Sequence, residues 1–213
     1  MEFNVGHTRI KICGITSYED ALTAISAGAD ALGFVFWEGS ARAVNFDQAR
    51  KICERLPPFV STVGLLVNAE PKYVDELLRT VPIHLLQFHG DETSGQCQQF
   101  GKPFLKAIRM RPDLDIEKEI VAYSAANGVL LDAYRKGIPG GTGESFDWGR
   151  IPVEYRSQII LAGGLTELNV GQAINCVRPY AVDVSGGVEM SPGEKDSNKV
   201  ERFVRAVKEA DNH

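Results

Sequence analysis

The sequence predicts a single (βα)8 TIM barrel, an α/β fold in which helices surround a closed parallel sheet. Eight short apolar runs recur along the chain, and they begin roughly 20–30 residues apart, about the length of one strand–helix unit. Strands this apolar need cover on both faces, which a parallel sheet with outer helices provides. An open doubly wound sheet would also alternate strands and helices. Eight units without a Pro- or Ser-rich linker favour the closed barrel, so residues 1–213 are predicted to form one domain.

The predicted strands are Arg9–Cys13, Ala31–Phe36, Ser61–Val67, His84–Phe88, Pro103–Met110, Gly128–Asp132, Gln158–Ala162 and Ala181–Val184. In the first strand, alternation places Lys11 and Cys13 on one face and the two isoleucines on the other. Gly14 then permits a sharp turn of the backbone. The first strand therefore ends in a thiol.

Helices are predicted where apolar residues recur at helical spacing between these strands. The first follows Thr16 or Ser17, either of which can cap it, and has Glu19 and Asp20 in its first turn, where the helix dipole favours carboxylates. The others are predicted over Phe46–Leu56, Pro71–Leu78, Asp115–Ala125, Leu168–Val177 and Ser197–Ala210. Residues 133–150 are rich in glycine and show no clear helix, which predicts a long loop that acts as a lid.

The composition argues against several classes of function. The formal net charge is −5 and no basic run occurs, which speaks against a nucleic-acid or membrane-surface partner. No apolar stretch is long enough to span a bilayer and no signal-peptide pattern precedes the first strand, so we expect a cytoplasmic protein. The four cysteines and four histidines show no paired ligand spacing, so we predict reduced thiols and no metal site.

Polar residues stand at the ends of most predicted strands, where a purely structural core would not tolerate them. In a barrel these carboxyl ends meet at one mouth, where active sites lie. A buried structural cysteine or a helix-capping aspartate is the alternative for a single such residue. The candidates, in chain order, are Cys13, Ser40, Arg42, Gln87, His89, Lys106, Arg109, Asp132 and Asp183.

Glycine pairs follow the last two strands. Gly163-Gly164 comes after the seventh and Ser185-Gly186-Gly187 after the eighth. Exposed amides at a helix N-terminus bind phosphate, and phosphate sites in these two loops recur among such barrels. These positions therefore predict a phosphorylated small-molecule substrate. Gly143, in the long loop, could supply a further amide, although flexibility alone would also explain that glycine-rich segment.

Short motifs occur in an order and spacing that is highly specific, although each motif alone is weak. They are Lys11–Thr16, Gly28–Phe36, Ser40 with Arg42, Leu56–Pro58, Gln87–Gly90, Leu131–Asp132, Gly140–Gly143 with Phe146–Trp148, Ala162–Leu165 and Arg178–Glu189. In these motifs the chain resembles the phosphoribosylanthranilate isomerase family of tryptophan biosynthesis over nearly its whole length. The departures are small: Phe88 stands where leucine is usual, and Gly186-Gly187 where Ser-Gly is common.

The resemblance implies an Amadori rearrangement of N-(5-phosphoribosyl)anthranilate to 1-(2-carboxyphenylamino)-1-deoxyribulose 5-phosphate, with no metal or organic cofactor. It implies that Cys13 is the general base, that Asp132 is the general acid and that Arg42 binds the anthranilate carboxylate. The acid must be protonated near neutral pH to open the ribose ring. The base must be a thiolate to remove the C2 proton, so we expect nearby positive charge and amide dipoles to lower or poise the pKa of Cys13.

Further roles are expected for residues around these two groups. Asp183 is expected to bond a sugar hydroxyl or assist the later proton transfer, and Gln87 and His89 to line the mouth. Lys11 is a candidate for the charge beside the thiol, the alternative being a structural ion pair inside the barrel. By family habit we expect a monomer, with a dimer as the alternative.

Two other functions compete with this one. Indole-glycerol-phosphate synthase and the tryptophan synthase alpha chain are phosphate-binding barrels of the same pathway, but they use Lys/Glu or Glu/Asp pairs. A relative from histidine biosynthesis usually has two aspartates. A non-catalytic barrel that binds a phosphorylated ligand is the other alternative, and the intact Cys13, Asp132 and Arg42 speak against it.

Overall fold

The computed structural model of the chain describes residues 6–133 and 146–212, within which eight strands close into a parallel barrel. The strands are β1 Arg9–Cys13, β2 Ala31–Val35, β3 Ser61–Leu66, β4 Leu85–Phe88, β5 Phe104–Met110, β6 Gly128–Ala133, β7 Ile159–Leu161 and β8 Ala181–Val184. Neighbours in sequence are neighbours in the sheet, and β1 pairs with β8 to complete the ring. The predicted TIM barrel is confirmed, and no strand limit differs from the prediction by more than one residue.

Helices cover the outside of the barrel. They are α1 Tyr18–Ala27, α2 Phe46–Cys53, α3 Pro71–Thr80, α4 Ser94–Gln98, α5 Ile116–Ala122, α6 Val170–Val177 and α7 Ser197–Asp211. Ser17, not Thr16, caps α1 by accepting a hydrogen bond from the Asp20 amide. Asp115 caps α5 in the same way and so lies outside that helix. None of these helices, nor any other in the described residues, has the length and hydrophobicity of a membrane span.

Three short features were not predicted from the sequence. The helix α4 has only five residues, too few to show a helical period, although a capping box of Thr93 and Gln96 marks its start. After β8 the chain forms a 3-10 turn over Gly186–Val188. An antiparallel hairpin follows, made of β9 Glu189–Ser191 and β10 Glu194–Lys195.

The long loop predicted over 133–150 falls largely on residues 134–145, which lie outside the described part of the chain, and Gly143 lies there with it. The described end of this segment contains a 3-10 turn, Trp148–Arg150, and a second one covers Val153–Gln158. These two turns stand between β6 and β7, where a full helix usually lies in this fold.

The core has an outer layer between barrel and helices and a separate inner cluster. Ile10 and Ile12 belong to the outer layer, as alternation in β1 predicts. Inside the barrel a second cluster comprises Val63, Leu105, Ala107, Leu130, Ile160, Ala162 and Ala181. Leu130 and Ala162 of this cluster also line the cavity at the barrel mouth, so the inner cluster is the floor of that cavity.

Candidate active site

A cavity of about 380 Å³ opens at the carboxyl ends of the strands. It brings together the predicted site residues of the described chain except Lys106 and Arg109, and Ser40 is among its lining residues. The others are Cys13, Arg42, Gln87, His89, Asp132, Gly163, Gly164, Asp183, Ser185, Gly186 and Gly187. The chain positions of these residues span almost its whole length, and only closure of the barrel makes them neighbours.

Cys13 ends β1 and is 5% exposed. Its side chain lies over Gly33 of β2 together with that of Lys11. A Cβ atom at Gly33 would be 2.7 Å from the Sγ of Cys13 and 3.0 Å from the Nζ of Lys11. The close approach of thiol and ammonium therefore depends on the absence of a side chain at residue 33.

The electrostatics of Cys13 differ from the sequence-based expectation. Burial raises the pKa of the Cys13 thiol, and the nearby charge of Lys11 lowers it without cancelling the effect of burial. The negative charge of Asp183 raises the pKa further. The expected net lowering of the Cys13 pKa is therefore not found. The loss of hydration destabilises the buried thiolate more than the charge of Lys11 stabilises it.

Lys11 combines the two roles that were considered as alternatives. Its Nζ donates a hydrogen bond of 2.8 Å to Oδ1 of Asp183, and both side chains are buried. Burial alone would lower the pKa of Lys11, but Asp183 and Cys13 together raise it well above its usual range. Lys11 is therefore an ammonium that pairs with a carboxylate and also faces the thiol.

Asp132 belongs to β6 and lines the cavity. The Nε2 of His89 lies 3.2 Å from Oδ2 of Asp132. The two groups are not aligned for a regular hydrogen bond, and this Nε2 has no hydrogen-bond partner among the described residues. The backbone of His89 is held firmly, since its carbonyl accepts a 2.7 Å bond from Arg109 and its amide donates a 2.8 Å bond to Leu66. The imidazole of His89 therefore lies next to the carboxyl group of Asp132.

The two strand-end candidates of β5 support this site without lining it. Lys106 donates to Oε2 of Glu92 at 2.9 Å and to the carbonyl of Gly90 at 2.7 Å. Glu92 also accepts hydrogen bonds from the amides of Asn68 and Gly90. This buried ion pair fixes the loop that follows β4, and Arg109 fixes the carbonyl of His89.

Arg42 reaches the cavity from the loop after β2, but its partner was not foreseen. It donates from Nε and Nη2 to the two carboxylate oxygens of Glu189, at 2.7 Å each. Glu189 in turn accepts a 2.9 Å bond from the Nζ of Lys195. Glu189 ends the last of the family-like motifs, which was the only signal for it. Lys195 gave no signal, because the β9–β10 hairpin that places it was not predicted.

The glycine loops present backbone donors to one side of the cavity. Gly163 and Gly164 have φ angles of 81° and 66°, in the left-handed region that favours glycine. A Cβ at Gly187 would overlap the carbonyl oxygen of Leu165. Within the described chain, the amides of Gly163, Gly164, Gly186 and Gly187 donate no hydrogen bond, and the buried Oγ of Ser185 has no partner either.

The position of these donors corrects one detail of the sequence analysis. The helix α6 begins at Val170, several residues after Gly164, so the first pair of amides belongs to a loop and not to a helix N-terminus. The second pair starts the 3-10 turn Gly186–Val188.

Gln87 is fully buried, and neither atom of its side-chain amide has a partner in the described residues. The cavity wall thus offers an unpaired amide as well.

The chain is similar to one known protein family over most of its length. The family model described as N-(5'-phosphoribosyl)anthranilate (PRA) isomerase matches residues 10–206. The N-(5'-phosphoribosyl)anthranilate isomerase of Pseudomonas putida (strain GB-1) is 57% identical over 206 residues, which cover 97% of this chain and 100% of the relative.

Solved structures agree with the sequence match. Phosphoribosyl anthranilate isomerase from Thermotoga maritima is 40% identical, with a TM-score of 0.87 over 95% of this chain and 99% of the other. A second structure holds phosphoribosyl anthranilate isomerase in complex with reduced 1-(o-carboxyphenylamino)-1-deoxyribulose 5-phosphate. It is 39% identical, with a TM-score of 0.83 and the same coverage of both chains.

Proposed function

Since the chain belongs to the N-(5'-phosphoribosyl)anthranilate isomerase family, we propose that it catalyses the Amadori rearrangement of N-(5-phosphoribosyl)anthranilate in tryptophan biosynthesis, with Cys13 as general base and Asp132 as general acid. The product is 1-(2-carboxyphenylamino)-1-deoxyribulose 5-phosphate. One observation carries the assignment of residues: a single cavity is lined by a thiol, a carboxyl group, a guanidinium and a set of unpartnered amides.

The first step is opening of the ribose ring. Asp132 donates its proton to the ring oxygen, the C1–O bond breaks, and the electron pair of the anilino nitrogen forms a protonated Schiff base. His89 is a polar neighbour of this acid, since its Nε2 lies 3.2 Å from the carboxyl oxygen Oδ2.

The second step is removal of the C2 proton. The thiolate of Cys13 takes this proton, and the electron pair of the C2–H bond forms the enolamine. The enolamine gains a proton at C1 from the thiol of Cys13 and gives the proton of its C2 hydroxyl to the carboxylate of Asp132, which yields the ketone and restores both groups. The ammonium of Lys11, which faces the thiol, stabilises the thiolate form electrostatically.

The remaining groups bind the two ends of the substrate and its sugar. Arg42 is assigned to the anthranilate carboxylate, for which a planar guanidinium is suited. Asp183 and Gln87 face the sugar hydroxyls. The phosphate lies against the loops after β7 and β8, where the free amides of Gly163, Gly164, Gly186 and Gly187 and the hydroxyl of Ser185 are gathered. Gly143 lies outside the described residues, so its part in this cradle stays a prediction.

A turnover assay tests the proposal. N-(5-phosphoribosyl)anthranilate, generated in solution, is mixed with the purified chain, and loss of the fluorescent anthranilate adduct is followed. We expect multiple turnovers in the presence of EDTA, since acid–base groups of the chain suffice. Binding without turnover would instead support a non-catalytic, phosphate-binding barrel.

A further inference from the structure

Three charged side chains form a continuous network from the rim of the cavity to the end of β1. Both carboxylate oxygens of Glu189 accept hydrogen bonds from Arg42, and Oε1 also accepts one from Lys195. Lys195 and Glu189 are cross-strand partners in the β9–β10 hairpin. The side chain of Lys195 is fully buried and that of Glu189 is 5% exposed, so water screens the network only weakly.

Lys195 connects this network to β1, the strand that ends in Cys13. Its Nζ donates a 2.6 Å bond to the carbonyl oxygen of Cys13 and lies 3.4 Å from that of Ser185. With Glu189, the ammonium therefore has three acceptors for its three N–H groups. A buried ammonium is tolerated only when it is paired and hydrogen-bonded. The hydrogen bonds of Lys195 therefore fix the position of the Glu189 carboxylate.

The bonds to Glu189 leave a specific part of Arg42 available. They use the edge of the guanidinium formed by Nε and Nη2. The Nη1 group donates no hydrogen bond to any described residue, and with the second N–H of Nη2 it forms another two-donor edge. That edge has the geometry of a bidentate carboxylate site.

The net charge of the network also favours a carboxylate as the ligand of Arg42. Arg42 and Lys195 are cations and Glu189 is an anion, so the three groups together carry one positive charge. A single carboxylate on the free edge of Arg42 would neutralise it. Met190, Ser191 and Pro192, which lie between Glu189 and Lys195 in the hairpin, line the same cavity. A ligand on this edge would therefore lie against the hairpin.

We propose that Glu189 and Lys195 are positioning residues that hold the free edge of Arg42 toward the cavity and thereby make the enzyme selective for a substrate with a ring carboxylate. This inference rests on the proposed function, because it requires Arg42 to bind that carboxylate. The inference goes beyond the proposed function because it assigns substrate selectivity to Glu189 and Lys195, whose charged groups do not contact the substrate.

The test compares two inhibitors that differ in one group. The first is reduced 1-(o-carboxyphenylamino)-1-deoxyribulose 5-phosphate, and the second is the same compound made from aniline, which lacks the carboxylate. In Glu189→Gln we expect affinity for the first to fall about tenfold, the effect of one charged hydrogen bond, while affinity for the second is unchanged. The KM for the substrate should rise while kcat is retained, because Cys13 and Asp132 are untouched.

A second variant tests the other positioning residue. In Lys195→Met we expect the same loss of discrimination between the inhibitors, together with a lower kcat, because the carbonyl of Cys13 loses its donor. Glu54→Gln is the matched control, since Glu54 forms an exposed pair with Arg50 on α2. It should leave both affinities unchanged. Should Glu189→Gln fail to fold, Glu189→Asp takes its place, because a shorter carboxylate cannot span Arg42 and Lys195.

The inhibitor affinities of the variants distinguish an error in the role of Arg42 from an error in the positioning proposal. If Arg42→Met leaves the preference for the carboxylate inhibitor intact, the proposed role of Arg42 is wrong. If Arg42→Met abolishes the preference and the Glu189 and Lys195 variants retain it, only the positioning proposal is wrong. Tighter binding of the carboxylate inhibitor by Glu189→Gln would also overturn it, since Glu189 would then compete with the substrate for Arg42.

Discussion

The Nζ of Lys11 and the Sγ of Cys13 lie over the same glycine, Gly33, on the neighbouring strand. Lys11 is two residues before Cys13 in β1, so both side chains point into the barrel. The ammonium is thus a fixed positive charge beside the proposed base. Asp183 accepts a 2.8 Å hydrogen bond from this ammonium and holds it in place.

Lys11→Met should shift the pH dependence of turnover to higher pH. Burial raises the pKa of Cys13 and Lys11 opposes that rise, so removal of the ammonium raises the pKa further. Asp183, left unpaired, acts in the same direction. Because the base acts as a thiolate, the ascending limb of kcat/KM against pH should move upward and kcat/KM at pH 7 should fall. Lys72→Met, on the exposed face of α3, is the control; an unmoved ascending limb in Lys11→Met would show that Lys11 is only structural.

Gly33→Ala should lower kcat while leaving phosphate and carboxylate binding in place. The new Cβ would stand 2.7 Å from the Sγ of Cys13, which must then shift. A displacement of about 1 Å at a reacting group costs on the order of 100-fold in rate. Steady-state kinetics measure the change. In the control, Gly95→Ala, the added Cβ meets nothing within 4 Å, and kcat should be unaffected.

The barrel could be predicted because its signals are local. Each strand is a short apolar run, and the glycines after β7 and β8 and the polar residues at strand ends need only the fold class to be placed at one mouth. The helix caps are local too, since Ser17 and Asp115 each bond an amide three residues later. The sequence left Ser17 as one of two candidate caps, and Asp115 was predicted inside its helix and not as its cap. The helix α4 was missed because one turn of helix has no periodicity.

The polar network could not be predicted, because its partners are distant in sequence. Arg42 and Glu189 are 147 residues apart, and Lys195 and the carbonyl of Cys13 are 182 residues apart. The pKa of Cys13 also escaped prediction. Alternation places Lys11 beside the thiol, but the balance between that charge and burial depends on how completely the barrel excludes water.

Glu92→Gln should destabilise the fold. Lys106 is almost fully buried and would lose its only charged partner among the described residues. Breaking a buried ion pair in this way costs about 3–5 kcal/mol of the free energy of unfolding. Urea denaturation followed by circular dichroism measures the loss. Glu76→Gln, on the exposed face of α3, should have almost no effect, and equal stability of the two variants would mean that the Lys106–Glu92 pair contributes nothing.

The most direct test of the proposed mechanism is kcat in Cys13→Ser and Asp132→Asn. Loss of a general acid or base costs about 10²–10⁴ in rate, so each variant should fall by that factor. Both should still bind reduced 1-(o-carboxyphenylamino)-1-deoxyribulose 5-phosphate, because the glycine amides and Arg42 are unchanged. Cys176→Ser, at an exposed free cysteine, should turn over normally. Near-normal kcat in Cys13→Ser or in Asp132→Asn would contradict the role assigned to that residue.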